Sequence, residues 1–349
     1  MKAYLLRRHG KPTVLQPTDV PVPDLKHEQV RVKIECIGLN YAEIMARKGF
    51  YGWAPQMPYT LGMEAYGSIE AVGDSVSARA IGDKVIIGTQ YGCYAEKFVG
   101  HWQATAPAIK QFTPEENAAF FVNFSTAWVG LFEMAKLIAG ESVLIQAAAG
   151  GVGTAAVQMA KALGCTVYGT VSNPEKEKLI QDLGIDHAIN YLEEDFEESV
   201  KKLTDGQGVD VVQEMVGGDV FKKSVRVLKP LGRIIVMGYA SMDLKKWNPL
   251  SWYKTWQGVP KANLMDMSKR VYSMMAFHLG YLMKDEVIMN RVIQGLSEFV
   301  IMHNFRPVVG QTFSFDEIPK AHELMESRKS MGKIAVSYTH LTLPTNREV

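Results

Sequence analysis

Residues 142–164 read SVLIQAAAGGVGTAAVQMAKALG, and no other stretch limits the fold so tightly. A short apolar run, Val143, Leu144 and Ile145, enters a turn of small residues from Ala147 to Gly153. Val152, Ala156, Met159, Ala160 and Leu163 then recur at helical spacing on one stripe. The order is strand, glycine turn, helix, which brings backbone N–H groups at a helix N-terminus against a pyrophosphate. Glycines in a tight turn are the plainer reading, and the strict G-x-G-x-x-G pattern has Ala148 in its first position. The preceding strand, the immediate helix and a second strand-like run at 166–171 favour a dinucleotide site built on Gly150, Gly151, Val152 and Gly153. A dinucleotide implies redox chemistry.

The rest of the chain falls into place around that unit. Strand-like runs at 143–147, 166–171, 187–190, 209–213 and 233–237 alternate with helical segments such as 174–183 and 219–228. Such alternation predicts an α/β domain with a doubly wound parallel sheet. Upstream, 30–34 alternates with period two, and 67–73 and 83–88 are short runs bounded by Gly and Asp. They predict a β-rich, barrel-like N-terminal domain. The pattern turns helical from Pro114, and the run 118–132 is broken by Asn123, Ser125 and Thr126. That run falls short of the roughly 18 apolar residues of a membrane helix, so it reads as a buried helix between domains, with no integral membrane segment. Residues 237–270 are rich in aromatics (Tyr239, Trp247, Trp252, Tyr253, Trp256) and suit either a core-packing lobe or a wall over an apolar substrate. A helix at 287–302, a strand at 311–315 and a helix at 318–327 close the pattern.

A net charge of +1 gives no reason to expect nucleic acid or an anionic membrane as partner. Cys36, Cys93 and Cys165 lie far apart without a C-x-x-C pair, which suggests neither structural zinc nor a disulfide framework. A reducing, cytoplasmic setting fits, and residues 1–20 carry no secretory pattern.

The second strand of an NAD-preferring unit usually ends in Asp or Glu, which accepts from the ribose 2′-OH. Here it ends Thr170-Val171-Ser172-Asn173-Pro174, with Lys176 one turn on. A hydroxyl and an ammonium in place of a carboxylate suit a 2′-phosphate, hence NADPH. The plainer reading is a solvated helix start, since residues 175–178 also make an ordinary charged run.

Several motifs then occur in order: Gly38-Leu39-Asn40-Tyr41-Ala42-Glu43, Leu61-Gly62-Met63-Glu64, Gly82-Asp83-Lys84-Val85, the 147–153 turn, Ile189-Asn190-Tyr191 and Gly332-Lys333-Ile334. The chain resembles the medium-chain dehydrogenase/reductase superfamily in its zinc-independent quinone oxidoreductase group. Residues 44–51, 122–127 and 277–282 resemble the vesicle amine transport protein homologue branch. The resemblance implies a GroES-like domain at 1–123 and 283–336 and a Rossmann NADPH-binding domain at 124–282. It implies that Asn40 and Thr126 contact the nicotinamide, that Gly151 and Val152 meet the pyrophosphate, and that Ser172, Lys176 and Tyr191 hold the 2′-phosphate. Gly238 and Tyr239 would follow the nicotinamide ribose, and Lys333 is a weaker cofactor contact because lysines near a terminus are usually solvated. Zinc-dependent relatives carry Cys where Asn40 stands and His where Met63 stands, so no metal is expected.

Bare hydride transfer suits quinones and alkenes conjugated to a carbonyl. Tyr51 matches the catalytic tyrosine of related enoyl-thioester reductases, and it reads equally as a packing residue beside Trp53 and Tyr59. His278, in an aromatic setting, reads as a core residue. The resemblance also implies a homodimer joined through an edge strand near 272–279. Residues 337–349 continue no pattern and read as a non-native tail. Two function classes stand: an NADPH-dependent reductase, or a non-catalytic NADPH-binding, vesicle-associated protein on the same fold.

Overall fold

The computed structural model describes residues 1–240 and 257–338. The chain divides into two units, Met1–Val122 with the chain from Arg306 onward, and Asn123–Phe305.

The first unit opens with β1 (Lys2–Leu6), β2 (Pro17–Asp19), β3 (Gln29–Gly38), α1 (Tyr41–Lys48), β4 (Tyr59–Thr60), β5 (Glu64–Val72), β6 (Lys84–Gly88), β7 (Lys97–His101), β8 (Thr105–Pro107) and α2 (Pro114–Ala118). β3 is longer than the alternation at 30–34 predicts. Val30, Val32 and Ile34 face the core at period two, and a register shift between Ile34 and Cys36 lets Ile37 join them. The bulge changes the phase of the pattern without ending the strand. Helix α1 starts at Asn40, whose N–H is accepted by the Glu43 carboxylate at 3.0 Å, and is stopped by Gly49 in the left-handed region at φ 84°.

The second unit begins within α3 (Phe121–Trp128), which passes into a π-helical turn at Val129–Met134. Then follow β9 (Ser142–Ile145), α4 (Gly151–Ala162), β10 (Thr166–Val171), α5 (Pro174–Asp182), β11 (His187–Asn190), α6 (Phe196–Leu203), β12 (Val209–Glu214), α7 (Gly218–Arg226), β13 (Leu228–Val236), α8 (Leu264–Arg270), β14 (Ser273–Ala276), α9 (Leu279–Leu282) and α10 (Glu286–His303). Among the described residues its six strands are all parallel, in the order β11-β10-β9-β12-β13-β14. The order reverses at β9, and ligands of such sheets bind beyond the C-terminal strand ends at that switch point. β9 is buried throughout, as expected of a parallel strand covered on both faces.

The chain returns to the first unit with β15 (Val309–Ser314), α11 (Ile318–Glu326) and β16 (Lys333–Ser337). β16 lies between β15, to which it is parallel, and β3, to which it is antiparallel. That sheet runs β15-β16-β3-β5-β6-β8, with β7 also on β3.

Two expected boundaries move. Residues 283–305 belong with the second unit rather than the first. Phe299 of α10 packs its ring 5.6 Å from Trp128 and 5.5 Å from Phe132. The tail does not begin at 337: Ser337 pairs with Cys36, and Tyr338 donates its N–H to Glu35 O at 3.1 Å and stacks on Phe315 at 4.4 Å. Strand pairing and ring stacking there extend the fold through Tyr338. Residues 339–349, and Trp247, Trp252, Tyr253 and Trp256 of the aromatic stretch, lie outside the described residues. Among the described residues no helix is long and apolar enough to cross a membrane.

Candidate functional site

In the second unit, the turn between β9 and α4 is built as a helix start without its own anions. Gly150 is the N-cap of α4, no side chain caps the helix among the described residues, and its first turn carries no acid. By contrast α5, α6 and α10 are capped by Asn173, Asp195 and Asp285 and carry glutamates in their first turns. The first backbone N–H groups of α4, at Gly151, Val152 and Gly153, therefore suit an external anion. Gly153 is needed for close packing, because a Cβ there would lie 2.4 Å from Ala147 O. The residue in the left-handed region is Ala147, at φ 52°. That conformation costs an alanine about 1–2 kcal/mol, so the turn is held by its surroundings.

At the tip of β10, Lys176 Nζ lies 3.3 Å from Ser172 Oγ. Asn173 caps α5 by accepting from Lys176 N–H at 2.8 Å, which fixes the first turn and with it the Lys176 stem. Burial pushes the Lys176 ammonium down from its ordinary range. Tyr191, just past β11, is 44 % exposed, and its N–H donates to Val171 O. Ser172, Lys176 and Tyr191 thus sit at the ends of adjacent strands. Thr126 lies on α3 and is half-buried; Gly238 and Tyr239 follow β13, with Tyr239 exposed.

In the first unit, Asn40 and Lys333 are brought together. The Lys333 ammonium donates to Asn40 Oδ1 at 2.6 Å and forms a short ion pair with Glu64. Lys333 is only 2 % exposed, against the solvated position that near-terminal lysines usually take. An ammonium has no acceptor, so the contact must be made by the amide oxygen, and this fixes which end of Asn40 is the donor. Glu64 also accepts from Val122 N–H at 2.9 Å. Gly38 is required here: a Cβ would fall 2.9 Å from Lys333 Cε and 2.1 Å from Ala118 O.

Behind Asn40 lies a second set of groups that sequence reasoning did not single out. Glu43, fully buried, accepts from Asn40 N–H at 3.0 Å, from Met63 N–H at 2.8 Å and from the Tyr94 hydroxyl. Tyr94 in turn meets His322 Nε2 at 3.0 Å. Tyr94 gives its proton to Glu43, so His322 donates from Nε2 to the phenol oxygen. Burial pushes Glu43 above the usual carboxylate range and drives His322 down to about 3, with Arg47 adding to the second shift. Only the capping spacing from Asn40 to Glu43 is local in sequence; Tyr94 and His322 arrive from distant positions. Tyr51 is half-buried, packs against the core of this unit and sets its ring edge-on to Trp53 at 6.4 Å. His278 begins α9 and lies 4.9 Å from the Tyr281 ring; burial pushes it down.

Residues 26–111 match the model of the alcohol dehydrogenase GroES-like domain, and 151–277 match that of the zinc-binding dehydrogenases. The chain is 32 % identical over 338 residues to a quinone oxidoreductase of Rattus norvegicus, covering 96 % of this chain and 97 % of that one. The chain belongs to the quinone oxidoreductase group of the medium-chain dehydrogenase/reductase superfamily. It is also 34 % identical over 317 residues to the synaptic vesicle membrane protein VAT-1 homolog of Danio rerio, covering 90 % of this chain and 65 % of the length of that relative. Among solved structures, the Escherichia coli quinone oxidoreductase complexed with NADPH superposes with a TM-score of 0.85 at 27 % identity, over 97 % of this chain and all of that one.

The zinc of the superfamily's metal-binding members does not fit these residues. Asn40 Oδ1 and Glu64 converge on the Lys333 ammonium, which would repel a dication, and the neighbouring Met63 offers a thioether. Among the described residues no three His, Cys, Asp or Glu side chains are grouped to hold a metal ion.

Proposed function

We propose that this protein is an NADPH-dependent reductase of quinones or of alkenes conjugated to a carbonyl, working without zinc. The observation that carries the reading is the Ser172–Lys176 pair at the tip of β10, where an NAD-preferring unit would place a carboxylate. The uncapped, acid-free start of α4 supports it, because its N–H groups and dipole complement a pyrophosphate. When bound, the cofactor supplies the hydride. Ser172 and Lys176 hold the 2′-phosphate with Tyr191 beside it, Thr126 contacts the nicotinamide, and Gly238 and Tyr239 follow its ribose. Asn40 offers its amide N–H to an oxygen, its carbonyl being held by Lys333. For an enone, hydride at one alkene carbon must be matched by a proton at the carbon next to the carbonyl, and Tyr51 provides it. The protein acts in the cytoplasm as a homodimer joined through β14, the edge strand of the parallel sheet.

NADPH oxidation followed at 340 nm against a panel of quinones and enones tests the reading. Turnover with at least one class is expected. Lys176→Ala should lower the preference for NADPH over NADH by at least about tenfold, as loss of a charge-assisted bond predicts. Tyr51→Phe should slow enone reduction and spare quinones. NADPH binding without oxidation by any acceptor would instead support a non-catalytic binding protein on this fold.

A further inference from the structure

A hydrogen-bonded chain of side chains crosses the C-terminal ends of three neighbouring strands, β10, β9 and β12. Ala147 N–H donates to Thr170 Oγ1 at 3.1 Å, and the Thr170 hydroxyl donates to Gln146 Oε1 at 2.7 Å. Gln146 Nε2 donates to Ser224 Oγ at 3.0 Å, and the Ser224 hydroxyl donates to Glu214 at 2.9 Å. The other Glu214 oxygen accepts from Val216 N–H at 2.6 Å and from Gly217 N–H at 2.8 Å. Thr170, Gln146, Ser224 and Glu214 are each buried, at most 2 % exposed.

The direction of this chain is fixed by its ends. A backbone N–H can only donate and a carboxylate can only accept, so the two hydroxyls and the amide between them have one consistent arrangement. One end is Ala147, a non-glycine residue held at φ 52°. Thr170 grips that turn twice, because its own carbonyl accepts Ala148 N–H at 3.0 Å. The other end is the loop after β12. There the Met215 carbonyl accepts Ala240 N–H at 3.0 Å and would lie 3.2 Å from a Cβ at Gly238.

We propose that Glu214 is a positioning residue for the dinucleotide turn: through Ser224, Gln146 and Thr170 it sets Ala147, and through Val216 and Gly217 it sets the loop beside Gly238. The proposal rests on the reading of this turn as an NADPH site. A glutamine at 214 turns an NH2 towards Ser224 or towards the two backbone N–H groups. If Ser224 then accepts from it, Gln146 must reverse its amide to accept from Ser224. Thr170 Oγ1 would then face two donors, with its own proton left unmatched. Strain at one end of the sheet edge is thereby delivered to the turn at the other.

The test compares Glu214→Gln, Ser224→Ala, Thr170→Val and the Thr170→Val/Glu214→Gln pair in the full chain. In protein without NADPH, hydrogen exchange at the Ala147 amide should quicken about tenfold in each single variant, the loss of one buried bond. The NADPH dissociation constant should rise about tenfold in each. Thr170 and Glu214 share no direct contact, yet the double variant should bind NADPH no worse than the weaker single one. Unchanged exchange at Ala147, or fold-changes that multiply in the double variant, would overturn the proposal. Should Glu214→Gln fail to fold, Ser224→Ala breaks the same chain with a smaller change. If the unaltered protein does not bind NADPH, the cofactor reading falls, while the exchange comparison still decides whether the chain positions the turn.

Discussion

Glu64 and Glu214 are both fully buried at strand ends, one in each unit, and their charges are met in different ways. Glu64 faces the Lys333 ammonium, with one backbone N–H in addition. Glu214 faces two backbone N–H groups and a hydroxyl, with no ammonium or guanidinium bonded to it among the described residues, and burial pushes it above the usual carboxylate range. An ion pair concentrates the compensation in one partner, so removing that partner exposes the whole desolvation cost. Dipoles divide the compensation among several groups, so each loss is smaller but travels further along the bonded chain.

That contrast orders the expected effects. Lys333→Met should cost about 3–5 kcal/mol, because it strands a buried carboxylate. Adding Glu64→Gln should recover much of that loss. Denaturant unfolding measures both, and a loss below about 1 kcal/mol for Lys333→Met would show that the two glutamates are met alike. Glu214→Gln should cost less, about 1–3 kcal/mol, since it disturbs hydrogen bonds without uncovering a charge. A Glu214→Gln cost above that of Lys333→Met would invert the comparison.

The smallest effect is one of pH. His322 titrates near 6.5 when unfolded and is held down to about 3 in the fold. A depressed histidine adds stability that is complete above its unfolded value and is lost as pH falls from there towards the folded one. At pH 5.5 the loss from this group is about 1.4 kcal/mol. The difference between wild type and His322→Gln isolates it, since Glu43 is common to both. Their stabilities should converge or cross as pH falls from 7.5 to 5.5, and parallel curves would place the titration elsewhere.

Much of the fold was legible because its patterns are local. The β9 turn, the alternation from 142 to 237 and the missing acid after β10 are each contained in a few neighbouring residues. β3 shows where that stops: its alternation breaks at Ile34 because a bulge changes the register, and only the partner strand β5 reveals that the strand continues. The site divides in the same manner. Ser172 and Lys176 stand four residues apart and could be paired on sight, whereas Asn40 and Lys333 are separated by 293 positions. Nothing near Lys333 in the chain tells that it is buried. Likewise nothing near His322 points to Tyr94, or near Ser224 to Gln146. The domain boundary at 283 was missed because α10 carries an apolar stripe that says it is buried and not against what.

By itself the sequence determined the class of each domain, the strand–turn–helix start of the dinucleotide unit and the chemistry offered at its second strand. These follow from periodicity, capping and residue type, which act over a turn of helix or a pair of residues. The tertiary structure decided which charges meet. It placed an ammonium against Asn40 and Glu64, met Glu214 with two backbone N–H groups and a hydroxyl, and joined Ala147 to Glu214 through three side chains. A buried polar group must find its partner wherever the fold brings one within about 3 Å, and that proximity is a property of the packed chain rather than of any segment.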